Sequence, residues 1–257
     1  MGMNNHKASK GILLTISTAS VVLFLIMWEI ICSVGLVDPI FLPPPSEVFK
    51  KAFSMLSEGS LESHIWASTV RVMTGFFAAT IIAIPLGIVL GTSQFARAVF
   101  NPILSFLRPL PSMSWIPLSL LWFGITETQK YSIVFMGTFA PALVYVIEAT
   151  RNVDPLLIRA ARNLGASRLQ VMREVILPGS LPQILSGLKV ILGLAWTCVI
   201  SAELVAAREG LGFLIMNGKE YFQTEVVVLG MMMISITVLI TDFIFRIIEN
   251  CVLRWQK

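Results

Sequence analysis

From Val72 to Ala96 the chain runs for 25 residues without one charged side chain. A helix crosses the hydrocarbon core of a bilayer with about 20 apolar residues. In lipid every backbone N–H and C=O must be paired within the protein, and a helix pairs them within the segment itself. Related segments recur at Gly11–Trp28, Pro109–Thr126, Tyr131–Ile147, Gln183–Ala207 and Val226–Ile248. The first continues past Glu29 toward Leu36; it is too long for the apolar region of a signal peptide and no A-x-A site follows it, so it reads as an uncleaved span. The third and fourth are short and meet at a polar turn, Glu127–Lys130. The fifth is interrupted by Lys189 and Glu203, the last only by Asp242 and Arg246. Composition agrees: 56% of residues are hydrophobic and 13% charged, where a soluble domain carries about 25% charged. No hydrophilic block is long enough for a second domain. The expectation is an all-α polytopic membrane protein, one transmembrane domain over residues 1–257 with about six crossings.

The net charge of +4 is spread between apolar segments and forms no basic tail or continuous patch, which argues for membrane orientation and against nucleic acid. With 1–10, 97–108, 151–182 and the C-terminal end on one side, that side holds eleven Lys and Arg, against six on the other. The positive-inside bias then puts both termini and 151–182 in the cytoplasm, and 37–65 and 208–224 outside. Cys32, Cys198 and Cys251 form no C-x-x-C pair, and His6 and His64 lie far apart, so no metal or redox site is indicated.

The segment 37–65 contains "LPPPSEVFKKAF". Its prolines cannot continue a helix, Ser46 can serve as an N-cap, and Val48, Phe49, Ala52, Phe53 and Leu56 follow at helical spacing. This predicts an amphipathic helix, either on the outer interface or packed between spans.

Residues 151–182 are the longest cytoplasmic connection and carry five Arg against Asp154 and Glu174. Asp154 can cap a helix that starts at Pro155. Leu156, Leu157, Ala160, Ala161 and Leu164 make one apolar face, expected to rest on the transmembrane bundle, with Arg159 and Arg162 pointing away. Gly165 falls where a left-handed residue would end that helix, and Ser167-Arg168-Leu169-Gln170 is a capping-box pattern for a second helix. That helix should end at Pro178, and Ser180-Leu181-Pro182-Gln183 should open the next span. Membrane lipid attraction accounts for the charge. Two compact helical turns around small residues are what a protein-docking element needs.

Ala160-Ala161-x-x-x-Gly165, nine residues, then Val175-x-Leu177-Pro178 and an apolar span resembles the cytoplasmic signature of ABC-importer membrane subunits. "FLPPPSEVF" (41–49), "RPLPSMSWIPLSLLWFG" (108–124), "FAPALV" (139–144) and "AELVAAREGLGFLIMNGKEYFQTEVVV" (202–228) extend the resemblance to the taurine, aliphatic-sulfonate and nitrate branch. The resemblance implies a type I importer fold, a homodimer of this subunit, two ATP-hydrolysing subunits beneath it and a periplasmic or lipid-anchored solute-binding protein above, in a bacterial plasma membrane. It also implies ATPase docking through Ala160, Ala161, Gly165, Ala166 and Ser167, flanked by Arg159 and Arg168. The family's first motif position is commonly Glu; here it is Arg159. The solute is expected to be a small anion: taurine, an alkanesulfonate or similar, with nitrate, bicarbonate or another small organic solute as the alternative.

What the chain lacks agrees with a pathway subunit that is not itself an enzyme. It has no G-x-x-x-x-G-K-[ST], so ATP and Mg belong to a partner subunit and no cofactor is expected in this chain. An ATP-independent carrier would be longer, with repeated halves, and a channel leaves 151–182 unexplained. Ionisable residues inside spans are functional candidates. Arg71 and Lys189 can reach an interface by snorkelling, whereas Glu203 is deep enough to pair across helices or face a gate. The prolines of "RPLPSMSWIP" forbid a regular helix, and freed backbone groups survive in a membrane only against protein or a water-filled cavity. Ser112, Ser114, Trp115 and Glu203 are therefore the pathway candidates.

Overall fold

The computed structural model describes residues 10–256, with side chains from 15 to 255. His6, Lys7 and Lys257 lie outside the described residues. Within them the chain is helical, with no strand. Five helices are long and apolar enough to cross a membrane: Thr15–Ser33, Ser60–Thr92, Glu127–Arg151, Arg168–Ala206 and Thr224–Val252.

Helix α1 (Lys10–Ser33) leads to α2 (Pro45–Ser57), whose first residue is Pro45 and whose N-cap is Pro44, so Ser46, the N-cap the sequence suggested, lies inside the helix. A proline can take the first helical position because its missing N–H has no intrahelical partner there. The orphan amide of Ser46 donates instead to Glu29 of α1 at 3.0 Å, and the Ser46 hydroxyl donates to the same carboxylate at 2.8 Å. An acid at a helix N-terminus satisfies both the amides and the helix dipole. Helix α2 packs between spans through buried Val48 and leaves Phe49 and Phe53 exposed.

The arrangement of α3 (Ser60–Thr92) and α6 (Glu127–Arg151) organises the rest. Gly75 lies against Val134, Gly87 against Val146 and Gly91 against Thr150; a Cβ on any of these glycines would fall within 2.7 Å of its neighbour's Cβ. The paired numbers rise together, so the two helices run parallel. Whatever joins them must return across the full thickness of the bundle. That return is built from α4 (Gln94–Leu107), a 3-10 turn (Ser112–Trp115) and α5 (Ile116–Phe123). The last two together span only about 20 Å at 1.5–2.0 Å per residue, less than the ~30 Å hydrocarbon core. The third crossing is therefore a broken one that begins near Gln94. The sequence-based boundary at Pro109 marked its middle, and residues 97–108 are not a surface loop.

Antiparallel pairs complete the core. Helix α9 (Leu177–Ala206) packs against α6, with Gly187 on Tyr145 and Gly137 on Cys198; α10 (Leu211–Glu220) folds back on α11 (Thr224–Val252) through Gly218–Val226 and Gly230–Ile215. Trp196 of α9 donates to Thr241 of α11 at 3.2 Å, and Lys189 pairs with Asp242 at 3.2 Å rather than standing alone. One continuous apolar cluster runs from Leu61 and Val72 through Val134, Leu143 and Val146 to Ile191, Trp196 and Val226.

Candidate functional site

At one end of the bundle, residues 151–182 form the predicted helix–glycine–helix element. The Asp154 carboxylate accepts the Leu156 amide at 2.8 Å and starts α7 (Pro155–Asn163). Gly165 ends it with φ +86°. Its N–H donates to Arg162 O at 3.0 Å, and that of Ala166 to Ala161 O at 3.0 Å, the paired bonds of a Schellman cap. The capping box follows: Gln170 N–H donates to Ser167 Oγ at 3.3 Å, and Ser167 N–H to Gln170 Oε1 at 2.8 Å. The second helix does not stop at Pro178. From α8 (Arg168–Gln170) it passes through a π turn (Val171–Ile176) straight into α9, and Pro178 costs that helix one backbone hydrogen bond without ending it.

Of the face expected to pack, only Ala161 does. Ile158, Ala161 and Ala166 close on Val153, Val171 and Ile176. Leu156 is 67% exposed and Leu164 88%, with Leu157, Ala160 and Arg159 also exposed. In a nine-residue helix one leucine row and one isoleucine–alanine row both fit the helical period, and the bundle takes the row with smaller side chains. The outcome is an uncovered leucine knob on a rigidly capped helix. Exposed clusters of this kind mark interaction surfaces.

In the broken crossing, Ser112 meets α6 and α9 near the middle of the former: a Cβ at Gly137 would lie 2.8 Å from that of Ser112 and 2.4 Å from Cys198 Sγ. Ser114 is exposed and its hydroxyl donates back to Pro111 O at 2.6 Å. Trp115 lines an apolar pocket of about 290 Å³ with Gly75, Trp122, Tyr131 and Phe135. These three residues share one turn at the helix break. Glu203 does not join them.

Glu203 lies at the opposite end from residues 151–182, 1% exposed, and both its oxygens are engaged. Arg71 Nη1 donates to Oε1 at 2.8 Å, Gly212 N–H to Oε2 at 2.8 Å, and the Ser68 hydroxyl sits 2.8–2.9 Å from both. Arg71, 2% exposed, also grips Glu127 through Nε at 2.6 Å and Nη2 at 2.8 Å, and donates to Glu209 O at 2.6 Å. Lys130 adds a second cation, 3.0 Å from Glu127. Gly210, at φ +122°, would place a Cβ 2.4 Å from the Glu203 carboxyl, so only glycine lets that loop close over the acid. The network ties α3, α6, α9 and the loop before α10 together. Arg71 does not snorkel. Glu127 carried no signal beyond its polar turn, since its partner lies 56 residues away.

Residues 83–254 match the family of binding-protein-dependent transport system inner membrane components. The chain belongs to this family. It is 36% identical to the taurine transport system permease protein TauC of Escherichia coli (strain K12), over 94% of this chain and 90% of that protein. It is 34% identical to the putative aliphatic sulfonates transport permease protein SsuC of the same strain, over 90% of this chain and 88% of SsuC. With the bicarbonate transport system permease protein CmpB of Synechococcus elongatus it shares 29% over 95% of this chain and 90% of CmpB. An inward-facing structure of the MetNI methionine ABC transporter superposes with a TM-score of 0.63 over 78% of this chain and 98% of that chain, at 20% identity, a likeness of fold. The protein is thus a multi-pass permease subunit of an ABC importer. Its relatives are transport subunits, not enzymes.

Proposed function

We propose that two copies of this chain form the pathway of an ATP-driven importer for a small organic anion of the taurine or alkanesulfonate kind. Residues 154–178 dock on a separate ATPase, which supplies the site for ATP and Mg, and a solute-binding protein delivers the anion from the other side. The coupling half of this reading rests on the exposed Leu156–Leu164 knob, held by caps on both sides at one end of a permease fold. Arg159, Ala160, Gly165, Ser167 and Arg168 make up that surface, while Ala161 and Ala166, expected to share it, are half-buried beneath it. The solute half rests on the likeness to TauC over nearly the whole chain; the likeness to CmpB makes an inorganic anion such as bicarbonate or nitrate the second reading. Ser112, Ser114 and Trp115 face the pathway at the break, and Glu203 holds its outer end together. Proteoliposomes containing this chain, its ATPase and its binding protein should take up taurine or an alkanesulfonate only with ATP inside the binding-protein-free face. Uptake of bicarbonate or nitrate in place of sulfonates favours the second reading; uptake without ATP contradicts both.

The orientation follows from the Lys and Arg distribution. Moving Arg97 and Arg108 into the broken crossing changes the count from eleven against six to nine against six, which keeps the bias. In a Cys251→Ser background, where the remaining Cys32 and Cys198 are buried, a cysteine at position 167 should resist an impermeant thiol reagent in whole cells. A cysteine at position 222 should react. The reverse pattern inverts the topology.

Arg159 is exposed beside the leucine knob and belongs to no ion pair among the described residues. A solvated arginine contributes about 0–1 kcal/mol to any contact, so Arg159→Glu should assemble and transport at near wild-type rates at low ionic strength. A weakened complex that is restored by an acid-to-base change on the ATPase would instead make Arg159 a specific contact.

A further inference from the structure

Between the docking element and the ends of α3 and α6 lies a cleft of about 1030 Å³. Four arginines line it from three places in the chain: Arg97 at the start of α4, Arg151 at the end of α6, and Arg162 and Arg168 on either side of the Gly165 turn. No carboxylate is among its lining residues, and none of the four arginines is in an ion pair among the described residues. Like charges gathered without a counter-charge repel one another, and the repulsion is relieved by an anion. The cleft adds a further attraction, because Ser93, the N-cap of α4, also lines it beside Thr92 at the end of α3. The first amides of a helix have no intrahelical acceptor and favour anions. One wall is apolar, with Ile158 and Met172.

We infer that this cleft holds the phosphate of an anionic phospholipid. Its level decides for a lipid: Gly91 and Thr150, in the last turns of two membrane-spanning helices, form its floor, so it opens where headgroups lie. The guanidiniums suit a phosphate through paired N–H donors, and the apolar wall suits the glycerol and first methylenes. The docking element would then be braced against the bundle partly by lipid. The inference rests on reading 151–182 as a membrane-surface element, and it does not require an ATPase.

The test uses the purified full-length chain in detergent with phosphatidylglycerol added, read by native mass spectrometry, beside Arg97→Gln/Arg151→Gln. Both positions lie outside the ATPase-docking surface. Each basic residue near a headgroup contributes roughly fivefold in binding, so the double variant should hold phosphatidylglycerol about 30-fold more weakly, with binding of phosphatidylcholine unchanged. Thermal unfolding of the variant in phosphatidylcholine should match wild type, which separates lost binding from lost folding. Equal retention of phosphatidylglycerol by the two proteins overturns the inference. So does displacement of the lipid by millimolar inorganic phosphate, which would assign the cleft to a free oxyanion. Loss of the ATPase from the double variant in phosphatidylcholine alone would make it a protein interface, and overturns it also. Failure of sulfonate transport leaves this lipid measurement untouched, so the two readings fail separately.

Discussion

Arg71→Met should destabilise the folded protein by about 3–5 kcal/mol, the cost of leaving a buried charge without its partner. Glu203 would keep only its bonds to Ser68 and the Gly212 amide, and Glu127, half exposed, would keep Lys130. The loss falls on Glu203, which cannot reach water. Melting followed by tryptophan fluorescence in detergent should therefore drop by several degrees in Arg71→Met, and Arg71→Met/Glu203→Gln should recover much of the loss, because a neutral amide removes the stranded charge. A network of purely polar decoration would show no such recovery. If Arg71→Met melts with wild type, the three-helix clamp around Glu203 contributes nothing to stability.

Gly165→Val should abolish transport, together with stimulation of the ATPase. The turn sits at φ +86°, where a β-branched residue is an outlier and an L side chain costs roughly 1–2 kcal/mol. The larger effect is geometric. Two hydrogen bonds of the cap depend on that φ, and they fix the angle between α7 and α8. Nothing in the chain lies within 4 Å of a Cβ placed there, so the substitution strains the turn without disturbing the core, and the variant should still express and melt near wild type. Gly165→Asn, which tolerates the left-handed region, should retain a larger share of transport. Survival of transport and ATPase stimulation in Gly165→Val would show that the shape of this turn is not what couples the two subunits.

Much of the helix–glycine–helix element was legible because its determinants are local. Asp154, Gly165, Ser167 and Gln170 each act on partners no more than five residues away, and backbone amides at helix ends leave little choice of partner. Its packing face was not legible, since nine residues of helix offer both Leu156–Leu164 and Ile158–Ala161 as apolar rows and only the bundle decides between them. The broken crossing was half visible. The prolines of "RPLPSMSWIP" announced irregular backbone, but each half, α4 and α5, is too short to register as a span, and the run from Pro109 looked like a beginning. The Arg71 network was invisible for a different reason. Its partners are 56 and 132 residues apart in sequence, and an arginine near a span end reads equally well as one that reaches for the interface.

Transport as proposed depends on residues 154–178 touching a separate ATPase through the exposed leucines. A photo-crosslinking amino acid at Leu164, 88% exposed at the tip of the element, tests it most directly in the assembled transporter. With a matching probe at Phe222, 84% exposed at the other end of the bundle, the account predicts a strong adduct with the ATPase subunit from position 164 and none from 222. An ATPase that co-purifies with the chain but crosslinks only from position 222, or from neither, would contradict it.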